Sequence, residues 1–145
     1  MDKPNTLNFL HLFENNVDIM KLINFKVHLH KSGNYYVACC PFHEEKTPSF
    51  TVCPEKKRYH CFGCNSSGDA YIFFINYHLN NSTLEYRMYF IEKMHFLEDK
   101  VSLFLDMTKE ESFYKDIYEF FNIPQDIAKK ESLAEKFLRI FDCKS

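Results

Sequence analysis

Two short ligand pairs carry the chemistry this chain can do. Cys40-Pro41-Phe42-His43 is answered, after a gap of seventeen residues, by Cys61-Phe62-Gly63-Cys64. Three thiolates and one imidazole complete a tetrahedral zinc sphere and leave no position for a water. The expected ion is therefore one structural Zn2+ held by Cys40, His43, Cys61 and Cys64. A catalytic zinc would need an open position that this donor set does not provide. The six cysteines could instead build a disulfide framework. The start Met1-Asp2-Lys3-Pro4 lacks the apolar core of an export signal, however, and a Cys-x2-His paired with a Cys-x2-Cys then reads as metal binding. Cys39 and Cys53 stay open as alternative ligands or as buried free thiols. The second ring nitrogen of His43 needs an acceptor, and Glu44 and Glu45 stand close by.

The elements that position these pairs can be read outward from them. Val27 and Leu29 alternate with Lys26, His28 and His30, Ser32-Gly33-Asn34 marks a turn, and Tyr35 to Ala38 reads as a second strand. This hairpin leads into the first pair. Ser49 to Val52 and Arg58 to His60 flank the turn Pro54-Glu55-Lys56-Lys57, a second hairpin that delivers the second pair. Gly68-Asp69 opens a helix with Asp69 as N-cap and Ile72, Phe73, Ile75 and Leu79 on its buried side. Upstream, Leu7, Leu10 and Phe13 predict a leader helix within residues 1–16, followed by a second helix from Val17 to Ile23.

Downstream the pattern changes. Ser82-x-x-Glu85, Thr108-x-x-Glu111 and Ser132-x-x-Glu135 each read as a helix start in which hydroxyl and carboxylate cap one another. The matching apolar stripes are Tyr86, Tyr89, Phe90 and Met94, then Phe113, Ile117, Phe120 and Phe121, then Leu133, Phe137, Leu138 and Phe141. The expected fold class is α+β. A small zinc ribbon, a short antiparallel β-sheet with flanking helices, occupies residues 1–80, and an all-α segment of unknown role occupies residues 81–145.

Charge narrows the partners. With 18 basic against 20 acidic residues, the chain does not coat nucleic acid by bulk charge, so any such face must be local. Val17 to Tyr77 carries seven basic and five acidic side chains, +2, whereas His78 to Ser145 carries ten and thirteen, −3. The longest wholly apolar stretch, about Tyr71 to Ile75, falls far short of the roughly 18 residues of a membrane span. A soluble, cytoplasmic protein without a membrane partner is expected.

Read whole, Gly33 to Phe50, with Cys40-Pro41-Phe42-His43 and Glu45-Lys46-Thr47-Pro48-Ser49-Phe50, then Tyr59-His60-Cys61-Phe62-Gly63-Cys64 and Gly68-Asp69, resembles the N-terminal zinc-binding domain of bacterial-type (DnaG-like) DNA primases. The likeness covers about Val17 to Tyr77. It implies a Cys-His-Cys-Cys zinc ribbon that helps a primase recognise single-stranded template where an RNA primer begins, with Cys40, His43, Cys61 and Cys64 as ligands. Asn65-Ser66-Ser67-Gly68 departs from the family's glycine-rich turn, although asparagine tolerates left-handed backbone.

Single strands are held by cations along the phosphates and by aromatic faces under the bases. Lys46, Lys56, Lys57 and Arg58 supply the cations. Phe42, Phe50, Tyr59 and Phe62 are interleaved aromatics, with Phe50 and Phe62 read as packing beside the zinc. The expected DNA contacts are Lys46, Lys56, Lys57, Arg58, Tyr59 and His60, Tyr59 and Arg58 foremost. His60, next to a ligand on an extended strand, points away from the metal.

Primer synthesis in the resembled family needs magnesium-holding acids on a separate, larger domain, and this chain has no Asp-x-Asp pair and only three glycines. It is not expected to polymerise alone. The catalytic domain or another replication protein would act in trans, either because the chain is a primase fragment or because it is a small protein of a phage, plasmid or other mobile element. The start at Met1 and the unfamiliar tail favour the latter. The rival reading is an adaptor that uses the ribbon as a scaffold and grips a protein through its helical half.

Overall fold

The computed structural model describes residues 6–80 and 82–122. Five strands form one antiparallel sheet in chain order: β1 (His30–Ser32), β2 (Tyr35–Ala38), β3 (Phe50–Cys53), β4 (Arg58–Cys61) and β5 (Ser67–Gly68). The period-two alternation of a strand gives this sheet two unlike faces. Tyr36, Val52, Tyr59 and Gly68 are register partners, as are Ala38, Phe50 and Cys61, and these rows face the core. Val37, Thr51, His60 and Ser67 make the opposite row.

Helix α3 (Ala70–Leu79) closes the inner face. Its N-cap is Asp69, whose carboxylate accepts the Ile72 N–H at 3.0 Å. Phe73 is wedged among Phe42, Phe50 and Tyr59, with ring centroids 5.6–6.0 Å away. Gly68 is required at the join, because a Cβ there would lie 2.6 Å from Ile72 Cβ. Ile72 itself is turned outward, and Ala70, Tyr71 and Phe74 take the buried positions that the spacing assigned in part to Ile72 and Ile75.

The other face of α3 receives the remaining helices: α1 (Thr6–Asn16), α2 (Ile19–Asn24), α4 (Leu84–Asp99), α5 (Val101–Met107) and α6 (Phe113–Phe120). Phe9 and Phe13 of α1 pack on Tyr71 and Phe104. Phe74 meets Phe90, Tyr118 and Phe121. Two long-range hydrogen bonds tie α6 to the N-terminal helices: Tyr118 Oη donates to Leu22 O (2.6 Å), and Asp18 N donates to Tyr114 Oη (3.0 Å). Sheet and helices thus share one buried aromatic core.

Several element boundaries differ from those read in the sequence. The first strand begins at His30, because the Lys26 and Val27 amides bond back to Ile23 O and extend the end of α2 through the alternating stretch. The cap of α4 is Thr83, whose Oγ1 accepts the Tyr86 N–H at 3.1 Å. Ser82, one residue earlier, donates to Leu79 O. Thr108 opens no helix: it ends α5 and donates to Leu105 O at 2.7 Å, while α6 starts at Phe113. Ser132-x-x-Glu135 and its stripe lie outside the described residues.

Candidate metal centre and the sheet faces beside it

The first ligand pair leaves the end of β2, and the second straddles the turn from β4 to β5. That turn is closed by Asn65 N to Cys61 O and Cys61 N to Ser66 O, both 2.8 Å. Asn65 takes φ 63°, the left-handed geometry expected of it in place of glycine. Within each pair a backbone N–H points at sulphur, Phe42 N to Cys40 Sγ (3.4 Å) and Gly63 N to Cys61 Sγ (3.3 Å). A side chain at Gly63 would press on the site, since a Cβ would sit 2.8 Å from His43 Nε2 and 2.9 Å from Ser49 Oγ.

These turns bring one ligand atom each of Cys40, His43, Cys61 and Cys64 within 4.8 Å of one another. Cys40 Sγ and Cys64 Sγ are 3.8 Å apart, and Cys61 Sγ lies 3.9 Å from His43 Nδ1. A tetrahedral ion with Zn–S bonds of about 2.3 Å sets its sulphurs about 3.8 Å apart. A disulfide would need about 2.05 Å. The donor set and its spacing fit zinc. Cys39 and Cys53 lie outside this group, Cys39 exposed and Cys53 half-buried.

The acceptor for His43 is Glu45. Its Oε1 lies 2.9 Å from His43 Nε2 and also accepts the Ser49 hydroxyl, while Oε2 accepts the backbone N–H of Cys40 (2.8 Å) and of Ser49 (3.0 Å). The hydroxyl of Ser49 above all, then these amides and His43, holds the Glu45 carboxyl down at about 2 against the opposing effect of desolvation. A carboxylate ionised at neutral pH behind Nε2 turns Nδ1 toward the Cys61 sulphur. Ser49, which Glu45 holds, links the loop of the first pair to the second, because its backbone O accepts the Phe62 N–H at 2.9 Å.

The thiols differ sharply. Burial pushes Cys40 up to about 12. Burial also acts to raise Cys61, but the Ser49 hydroxyl and the Cys64 and Gly63 amides outweigh it and hold it at about 7. Binding a divalent ion as thiolates therefore releases protons.

The expected nucleic-acid contacts are divided by the fold. Lys56, Arg58 and His60 line a concavity of about 660 Å3 on the open face of the sheet, with Tyr35, Thr51 and Phe62. Lys46 borders a separate groove beside the first ligand pair. Lys57, at φ 54° in the β3–β4 turn, lines a third groove shared with Glu14 and Asp18. Tyr59 requires correction: it is 1% exposed, stacked on Phe50 at 5.3 Å, and no base can reach its ring without unpacking the core. Phe62 is corrected in the opposite sense, being 72% exposed and edge-on to His60 at 4.6 Å. Strand parity held both signals: Tyr59 shares the parity of the inward Cys61, and Phe62 that of Arg58 and His60.

A ribbon whose β2–β3 and β4–β5 connections converge on a sulphur-rich cage defines a structural zinc module. A family model described as the CHC2 zinc finger matches residues 5–112, and the chain belongs to that family. Its cofactor is one structural zinc. The chain is 56% identical over 63 residues to a DNA primase of Legionella pneumophila, covering 43% of this chain and 11% of that protein. It is 60% identical over 60 residues to a DNA primase of Salmonella typhimurium, covering 41% and 10%. A crystal structure of the Aquifex aeolicus primase, comprising zinc-binding and RNA polymerase domains, aligns with a TM-score of 0.43 at 40% identity over 46% of this chain and 16% of that one. The chain spans about a tenth of the length of these curated relatives. No helix among the described residues is long and apolar enough to cross a membrane.

Proposed function

We propose that this chain is the template-recognition module of a DNA primase, in which Cys40, His43, Cys61 and Cys64 hold zinc and single-stranded DNA crosses the open face of the sheet. The observation that carries this reading is the asymmetry of the sheet, one face packed on α3 and the other presenting Arg58, Lys56, His60 and the exposed Phe62 ring. Cations beside aromatic faces are the ingredients of sequence-tolerant single-strand binding. The zinc does no chemistry here: four protein donors fill its sphere, and its role is to pin the hairpins that carry this face. Primer synthesis then depends on a catalytic domain supplied elsewhere, in the cytoplasm where the template is. The division at residue 80 is one of role, with the ribbon reading DNA and the helices after it bracing α3.

Titration of short single-stranded DNAs at two salt concentrations, with duplex as control, tests the reading. Phe62→Ala should weaken binding by about 1–3 kcal/mol, the value of one stacked base. Arg58→Ala with Lys56→Ala should weaken it and flatten its salt dependence. Lys57→Ala, on the acidic groove, should change little. Equal affinity in all variants would remove the open face from the site.

The second reading, a protein-binding adaptor, draws on Ile91, Phe96 and Leu103, large apolar side chains exposed on α4 and α5. It predicts no salt-dependent affinity for single strands at all.

A further inference from the structure

A further concavity lies on the helix side of the sheet and has no residue in common with the open-face concavity. Phe42, Ser66, Asn76, Leu79, Asn80 and Arg87 enclose about 560 Å3. That is within the roughly 300–1,000 Å3 of small-molecule sites. No carboxylate lines it, and its one charge is the exposed Arg87, of which only Nε is engaged, by Ser82 Oγ at 3.2 Å. Its terminal nitrogens have no partner among the described residues. Asn76 is held by a hydrogen bond from its Nδ2 to Tyr59 Oη (3.2 Å), which leaves Oδ1 as an acceptor. The Asn80 amide is likewise unengaged among the described residues. Phe42 and Leu79 add apolar surface, and Phe42 and Asn80 also border the adjoining groove that contains Lys46.

A guanidinium with free N–H groups suits phosphate. Paired side-chain amides match the donor and acceptor edge of a base, and an aromatic wall suits its face. We propose that this groove binds one nucleotide unit, with phosphate on Arg87, the base against Phe42 and Leu79, and its edge read by Asn76 and Asn80. The unit could be a free nucleoside triphosphate or one residue of a bound strand. The inference goes beyond the open-face reading and does not rest on it.

The zinc-loaded full chain, labelled with 15N, would be titrated with ATP, with a short single-stranded DNA and with inorganic phosphate, following the side-chain amides of Asn76 and Asn80 and Arg87 Nε. Saturable shifts with ATP identify the free nucleotide as the source, and shifts with the oligonucleotide alone identify the strand. In either case Arg87→Ala should reduce affinity at least about tenfold, the scale of one charge-assisted contact. Arg58→Ala should leave the response to ATP unaffected. Asn80→Asp, also on the surface, should weaken binding by replacing the amide donor that reads the base edge with a charged acceptor, and serves if Arg87→Ala loses zinc. An absence of shifts with both ATP and DNA would overturn the proposal. So would an equal response to inorganic phosphate, or unchanged affinity in both Arg87→Ala and Asn80→Asp.

Discussion

Glu45 shows how much of a metal site lies behind its ligands. One carboxylate gathers the His43 ring, two backbone amides and the Ser49 hydroxyl, so the ligand geometry and the loop between the pairs are set together. Glu45→Gln should keep the size but weaken the acceptor for His43 Nε2, and replaces a charge that the two amides currently share. A loss of about 10–100-fold in zinc affinity is expected, measured by competition with a chelator of known strength. Unchanged affinity would reduce Glu45 to a loop fastener. The ligands themselves were legible because soft donors at close spacing are a local signal. Glu45 was visible only as one of two neighbours, since choosing between it and Glu44 depends on which way the chain turns after His43. The burial of Tyr59 follows from its sharing the strand parity of the ligand Cys61, a signal that outranks its place beside Arg58.

At the scale of elements, turn chemistry was the most faithful guide. Gly33 at φ 63° sits in the tight β1–β2 turn, Asn65 substitutes for glycine, and Asp69 caps α3 as its position before an apolar run implied. The hydroxyl-to-glutamate pattern was less faithful, because serine and threonine also bond backward to carbonyls at helix ends. Ser82 and Thr108 do so, and the cap of α4 falls to Thr83. Thr83→Ala should therefore cost about 0.5–2 kcal/mol in thermal or denaturant unfolding. Ser82→Ala should cost less, and a larger loss at Ser82 would return the cap to it.

At the scale of the whole molecule, the junction of α3, α4 and α6 is an aromatic box around His78, formed by Phe74, Phe90, Tyr118 and Phe121. Tyr86 Oη gives its only proton to Phe121 O (2.9 Å), so His78 Nδ1 must donate to Tyr86 Oη (2.9 Å). The buried Nε2 is then a bare acceptor with no partner among the described residues. Burial, reinforced by the positive charge of Lys26, lowers His78 to about 4. The unfolded chain takes up this proton near 6.5 while the folded one resists, so the stabilising contribution is whole above about pH 6.5 and is lost as pH falls toward 4. His78→Phe should flatten the pH dependence of unfolding between those limits relative to the parent chain, and an identical slope would exclude His78 as its origin. Helix stripes anticipated Tyr86, Phe90, Ile117 and Phe121 in this core. The box itself was not legible, because it joins side chains from three elements whose mutual packing no periodicity records.

The reading of the ribbon depends on a closed zinc cage where β2 and β4 end. Zinc K-edge X-ray absorption of the purified chain tests it directly. The account predicts about one zinc per chain, with three sulphurs at about 2.3 Å and one nitrogen at about 2.0–2.1 Å. A sphere with fewer than three sulphurs, or with an added water oxygen, would contradict it.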